Sequence, residues 1–273
     1  MGSNIPSKKK LANNMIKSIS ILLILLFVNS TNSFDFGKIN SFEIDVQSNI
    51  YTVTDAELKK FTAEGKLLFT YSNLILGDIS NIEVDKTTNI FLYYRDFNNI
   101  IFLDNTLSPK YSPIDLSDLG YAEANLACRS YNNSFWIYNP VNQELLRFDQ
   151  SLQITDRTGN LSNITNVNIV PTQILERNNL LYLRDNEHGI FVFDRYGGYL
   201  RNMPFYNLDG FYLEYDKWKM LRNDTSFVFN PISLEVDTIV LPIDNVKQYR
   251  VSEGRMMYLL KSGEFGVTKI QEF

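Results

Sequence analysis

Six acidic residues, Asp45, Glu83, Asp85, Glu176, Glu214 and Asp216, stand in or beside short apolar segments that recur along the chain. Carboxylates gathered from several such segments are the oxygen donors a divalent cation takes, and a cation so held would activate water for hydrolysis. Arg129 and Arg250 stand close to the same set, and positive charge at the same depth works against a cation. The one histidine, His188, would be the natural general base, but charged residues flank it and no nucleophile stands beside it, so it reads as a solvated loop residue. The one cysteine, Cys128, lies between Ala127 and Arg129 and reads as a small buried hydrophobe rather than a reactive thiol. One His and one Cys exclude a self-contained zinc centre built from those ligands, and an internal disulfide as well. No catalytic residue, metal ligand or cofactor is therefore assigned.

A second pattern concerns binding. Arg95-Asp96, Arg184-Asp185 and Arg222-Asn223-Asp224 fall at matching places in three of the repeated segments. Carried onto one rim they would form a ring of alternating charge able to receive a polar segment of a protein partner. Arg95, Asp96, Arg184, Asp185, His188, Arg222 and Asp224 are accordingly the candidate partner-binding loop residues. The competing reading is that each pair solvates a loop or ties neighbouring segments together, since surface ion pairs contribute little and need no function.

The elements that position these residues follow from periodicity. Apolar bursts begin at Ile50, Ile90, Phe135, Leu180, Lys219 and Met256, spaced 40, 45, 45, 39 and 37 residues apart. Asn-rich turns such as Asn132-Asn133 and Asn178-Asn179 precede them, and Asn tolerates the positive φ that closes a hairpin. About ten residues after each burst comes a second one, several ending in Phe-Asp (Phe148-Asp149, Phe193-Asp194), followed by a turn and a more polar strand. Four antiparallel strands at this period are the blade of a β-propeller. The 240 residues from Phe34 to Phe273 hold six blades of 40. The expected fold is thus an all-β six-bladed β-propeller with four-stranded antiparallel blades. The last unit runs out of chain before its fourth strand, so residues 34–39 are expected to supply a strand that closes the last blade. Thr54-Asp55-Ala56-Glu57 has the pattern of a helix capping box, but the repeat register makes it a turn followed by a strand. Lys217-Trp218-Lys219 is expected in a turn of the fifth unit, with Trp218 exposed.

The segment Trp136-Ile137-Tyr138-Asn139-Pro140-Val141-Asn142-Gln143-Glu144-Leu145-Leu146-Arg147-Phe148-Asp149 resembles the NHL-type repeats of six-bladed propellers, and residues 185–194 are similar. The repeat is degenerate: Glu144 and Gly189 stand where that family usually has Arg. The resemblance implies a rigid platform for proteins or ligands. Some such propellers hold a divalent ion in the central channel and hydrolyse lactones or esters, which makes a metal-dependent hydrolase the alternative function.

Lys8, Lys9, Lys10 and Lys17 precede the apolar run at residues 19–28, and small polar residues follow at 29–33. That order describes a secretory signal peptide at 1–33 ahead of a propeller domain at 34–273, and the run is short for a bilayer span. Removing it takes four lysines and no acid, which moves the formal charge from −5 to −9. An acidic chain of this kind disfavours nucleic acid, and export without paired cysteines suits a periplasmic or secreted protein with no stable transmembrane span after cleavage. The sequence thus predicts an exported, non-enzymatic scaffold for protein partners, of a kind that would serve in an envelope assembly or secretion complex, with its oligomeric state open.

Overall fold

The computed structural model describes residues 19–21, 34–86, 89–214 and 217–269. Six antiparallel sheets follow one another along the chain. Written from the inner strand A to the outer strand D, blade one is Ser41–Ile44, Ile50–Thr54, Glu57–Phe61 and Leu67–Ser72. Blade two is Asn81–Lys86, Asn89–Tyr94, Asn99–Leu103 and Ile114–Asp115; blade three is Leu126–Arg129, Phe135–Asn139, Glu144–Phe148 and Ile154–Arg157. Blade four is Pro171–Arg177, Leu180–Asp185, Gly189–Asp194 and Tyr199–Met203; blade five is Gly210–Glu214, Lys217–Arg222, Thr225–Phe229 and Val236–Val240. Blade six has three strands, Val246–Ser252, Arg255–Leu260 and Phe265–Lys269. Among the described residues helix is confined to short turns, such as Leu161–Thr165.

The B and C strands of blades two to four are mostly apolar because both of their faces are covered. In blade two all of Asn89–Tyr94 is buried. Successive side chains of a strand point to opposite faces. Ile90, Leu92 and Tyr94 therefore pack on blade one, while Phe91 and Tyr93 pack on blade three. The same division at every junction gives six apolar clusters, one between each pair of neighbouring blades, so the core is a ring of layers. The sixth cluster joins Met257, Leu259 and Val267 to Phe42, Ile50 and Phe61, and this contact closes the circle.

The turns explain the repeat motif. Asp194 ends its C strand and Asp104 and Asp149 directly follow theirs, and each Oδ1 accepts two backbone N–H groups of the following turn, from Thr106 and Ser108, Ser151 and Gln153, and Tyr196 and Gly198, at 2.8–3.0 Å. Asn230 does the same in blade five and the Thr62 hydroxyl in blade one. The recurring acid after Phe thus serves turn closure. The A–B hairpins use left-handed residues as the sequence requires, with Asn178 and Asn179 at φ 54° and 61°.

Two expectations need correction. The leading segment reaches the last blade through a single bridge, Lys38 to Glu264, with Ile39 N–H donating to Gly263 O at 2.9 Å, instead of a full strand. Its place matches that of the short outer strand of blade two, which pairs only with Asn99 and Ile100. Aromatic packing does the rest: Phe36 lies 4.3 Å from Phe61 and 5.0 Å from Phe265, ring centre to ring centre. Trp218 is the second correction. It sits in strand B of blade five, 1% exposed, among Tyr182, Phe211 and Phe229, because its register points it at blade four rather than into a turn. The segment 1–33 lies outside the described residues except for Ile19–Ile21, which pair in parallel with the outer strand of blade five.

Candidate functional site

Because A and C run one way and B and D the other, the B–C turns and D–A crossings share one face, and the A–B and C–D turns share the opposite face. All seven candidate binding residues fall on the first. Arg95 and Asp96 are exposed in the B–C turn of blade two, Arg222 is exposed at the end of strand B in blade five, and Arg184, His188 and Asp224 are half-buried. Asp185 is buried, at 2% exposure.

The acids among them secure the backbone. Asp185 accepts the N–H groups of Glu187 at 2.8 Å and His188 at 2.9 Å, and its other oxygen accepts Val170 N–H at 2.6 Å, from the crossing that enters blade four. His188 Nδ1 lies 3.2 Å from the same carboxylate. Asp224 accepts Val246 N–H at 2.8 Å, and Asp209 accepts Asn223 N–H at 2.8 Å. Arg222 reaches Tyr206 O and lies 4.9 Å from the Phe227 ring. The three pairs therefore do unlike work, and only Arg95 and Asp96 present both charges to solvent.

Those two residues border an apolar knuckle that the sequence reading missed. The crossing from blade one to blade two carries Leu74 and Ile75, 83% and 82% exposed, on a turn capped by Asn73 Oδ1. Leu76 of the same turn is buried in the junction of blades one and two, which fixes the other two outward. Phe97, 57% exposed, comes from the next B–C turn. The crossing passes so close that a Cβ on Gly77 would lie 3.3 Å from the Phe97 ring. Val141 and Val170, 70% and 68% exposed, continue the rim on the same face. The available signal was the pair of large apolar residues inside an Asn-to-Gly turn, Asn73-Leu74-Ile75-Leu76-Gly77.

At the centre, the inner strands enclose a polar cavity of about 220 Å³ that opens on this same face. Side-chain amides join neighbouring blades across it: Gln248 both accepts Phe42 N–H and donates to Phe42 O, Gln173 donates to Phe211 O at 2.8 Å, and Asn81 donates to Ala127 O at 3.1 Å. Arg250 forms a fork to Glu43, at 2.6 and 3.2 Å, and stacks 4.0 Å over the Tyr212 ring. Glu83 accepts Arg129 N–H and Asn81 Nδ2 at 3.2 Å; burial pushes its carboxyl up to about 7, with Arg129 and Arg177 opposing. Glu176 accepts from Ser130 Oγ and from Trp136 Nε1 at 2.8 Å. The inner-strand acids that the sequence proposed as cation ligands are thus held singly by different partners. Glu214 is paired with Lys219, and Asp45 closes the A–B turn of blade one while accepting Tyr51 O–H at 3.0 Å. Asp216 and the Asp85 side chain lie outside the described structure. Among the described residues no group of three or more His, Cys, Asp or Glu is placed to hold a metal ion. Cys128 is fully buried between blades three and four, and its surroundings push the thiol up, burial first and then the charges of Glu83 and Glu176.

No protein-family profile and no curated protein sequence matches the chain. Solved structures do. The WD40 domain of Neurospora crassa Pan2 superposes with a TM-score of 0.59 at 8% identity, over 92% of this chain and 98% of that one. Streptogramin B lyase gives 0.59 at 10% identity over 89% and 87%, and BBS1N, solved in complex with ARL6DN, gives 0.57 at 9% over 87% and 79%. At these identities the likeness is one of fold. It agrees with the propeller resemblance, and it includes both an enzyme and a protein seen bound to another protein, so fold does not choose between activities.

Proposed function

We propose that this protein is an exported, non-enzymatic platform that binds a protein partner through the face carrying the B–C turns and D–A crossings. The observation that carries the reading is the knuckle of Leu74, Ile75 and Phe97 beside the free charges of Arg95 and Asp96. Large apolar side chains clustered at one place on a surface and rimmed by charge mark interaction sites. Burying each contributes about 1.5–3 kcal/mol, enough for three of them to dominate a modest interface. The knuckle stands on crossings anchored by buried Leu76 and by the bond from Ile79 N–H to Asp55 O at 2.9 Å, so little ordering free energy is spent on binding. Export rests on the lysine-led apolar run before residue 34, and among the described residues no helix is long and apolar enough to cross a membrane.

The test is affinity purification of the full chain from its native source, with the wild type beside Leu74→Asp/Phe97→Asp and beside Ile232→Asp on the opposite face. The expected result is a partner retained by wild type and Ile232→Asp but lost from the double variant. A partner retained equally by all three, or hydrolysis of a lactone panel with added calcium by a protein that purifies alone, would overturn the reading.

A further inference from the structure

The cavity at the channel mouth gathers unspent positive charge in this acidic chain. Arg184 reaches it from strand B of blade four and Lys247 from strand A of blade six. Both are tied to neutral oxygens. Arg184 Nε donates to Thr172 Oγ1 at 3.1 Å and Nη1 to Leu208 O at 3.2 Å, while Lys247 Nζ donates to Asn40 O at 2.8 Å. Among the described residues neither has a carboxylate within ion-pair distance. Burial accordingly pulls the Arg184 guanidinium below its ordinary range, opposed only in part by Asp209. Asp209 lines the cavity and pairs loosely with the exposed Lys261 outside it, at 3.6 Å, so its charge still counts within the cavity, and Glu43 is taken by Arg250. The charges lining the cavity are thus three cations against two anions, a surplus of one. Arg184 is half-buried and Lys247 stands exposed at the rim, and a partly desolvated cation left without a counter-charge is costly and invites one from outside.

From this geometry we infer that the channel mouth is a binding site for a small carboxylate, taken between Arg184 and Lys247. The surplus of one charge matches a monocarboxylate, whereas a phosphate dianion would leave a net negative charge in a partly closed space. At about 220 Å³ the cavity holds the equivalent of about seven waters, so the ligand is a short acid or the carboxylate end of a longer chain rather than a drug-sized molecule. Guanidinium and ammonium supply charge-assisted bonds of differing shape, the planar fork giving orientation and the ammonium adding attraction. This site is separate from the Leu74–Phe97 knuckle and stands whether or not a partner docks there.

The experiment is calorimetric titration of the full chain at about pH 8.5, where inorganic phosphate is the dianion and Arg and Lys keep their charge, with N-acetylglycine as the acid, N-acetylglycinamide as the neutral counterpart and inorganic phosphate as the dianion. The expected result is saturable binding of the acid in the millimolar range, no measurable binding of the amide, and phosphate weaker than the acid. Arg184→Gln and Lys247→Gln should each weaken the acid tenfold or more, while Arg201→Gln, on an exposed outer strand, leaves it unchanged. Lys247 has one hydrogen bond to lose, so its variant keeps the test decisive if Arg184→Gln unfolds. Absence of acid binding, equal binding of the amide, tighter binding of phosphate, or binding unchanged in a folded Lys247→Gln protein would each overturn the assignment.

Discussion

Asp185→Ala separates a residue that holds the fold from one that meets a partner. The carboxylate is 2% exposed and accepts three backbone N–H groups. Two belong to its own B–C turn, at 2.8 and 2.9 Å, and act as a side-chain cap does, a contribution of about 0.5–2 kcal/mol. The third, from Val170 at 2.6 Å, ties the crossing to the turn through a charged acceptor, and a bond of that kind contributes about 1.5–3 kcal/mol. Glu187 and Val170 are exposed, so water can take over part of what is lost. The expected cost is therefore about 3 kcal/mol, less than the sum of the upper limits. Asp185→Asn should cost about half as much, because Oδ1 can still serve the turn while the new NH₂ faces the Val170 N–H, donor against donor. Urea unfolding followed by circular dichroism measures both as a shift in midpoint at unchanged slope. A loss below about 1 kcal/mol for the alanine variant would refute the structural assignment and return Asp185 to the set of partner-binding residues.

Two further predictions come from the channel. Glu83 carries a raised carboxyl, about 7 in the folded chain, so the native state binds more protons than the unfolded chain between the ordinary glutamate range and that value. Its contribution to stability is fully present below the ordinary range and declines as pH rises through 7; unfolding between pH 4 and 8 should show this slope, and Glu83→Gln should flatten it. Arg250→Met leaves Glu43 without its fork and should cost about 3–5 kcal/mol in urea unfolding. Glu43→Gln in the same chain should recover much of that loss, and a double variant no more stable than Arg250→Met would show that the pair does not act as a unit.

The repeat was legible because each of its parts has a local cause. Strands covered on both faces are apolar over most of their length, as in Asn89–Tyr94 after its first residue, and left-handed hairpins select Asn, as at Asn178 and Asn179. The acid after Phe has a local cause too, since Asp149 closes a turn only four residues long. These signals need no knowledge of neighbouring blades, and their period and the chain length give six. Trp218 was misplaced because the degenerate fifth unit offers few landmarks, and a one-residue shift in register reverses a strand's faces. The closing segment was placed at the right blade but given too many ladder bonds, since Phe34 and Phe36 hold it through ring packing rather than pairing.

What the amino-acid order decided alone is the sheet character, the blade count, the face on which the Arg and Asp pairs lie, and the scarcity of His and Cys that removes a zinc centre. The tertiary structure alone decided what those charges do. Asp185 and Asp224 turned inward to bind the backbone of crossings that the chain reaches 15 residues earlier and 22 residues later, Glu43 found Arg250 across 207 residues, and Gly77 met Phe97 between two different loops. Such partners are chosen by where the ring closes and how each crossing folds over its blade. A hydrogen bond or an exposed patch depends on distances of a few ångströms, which spacing along a strand does not fix.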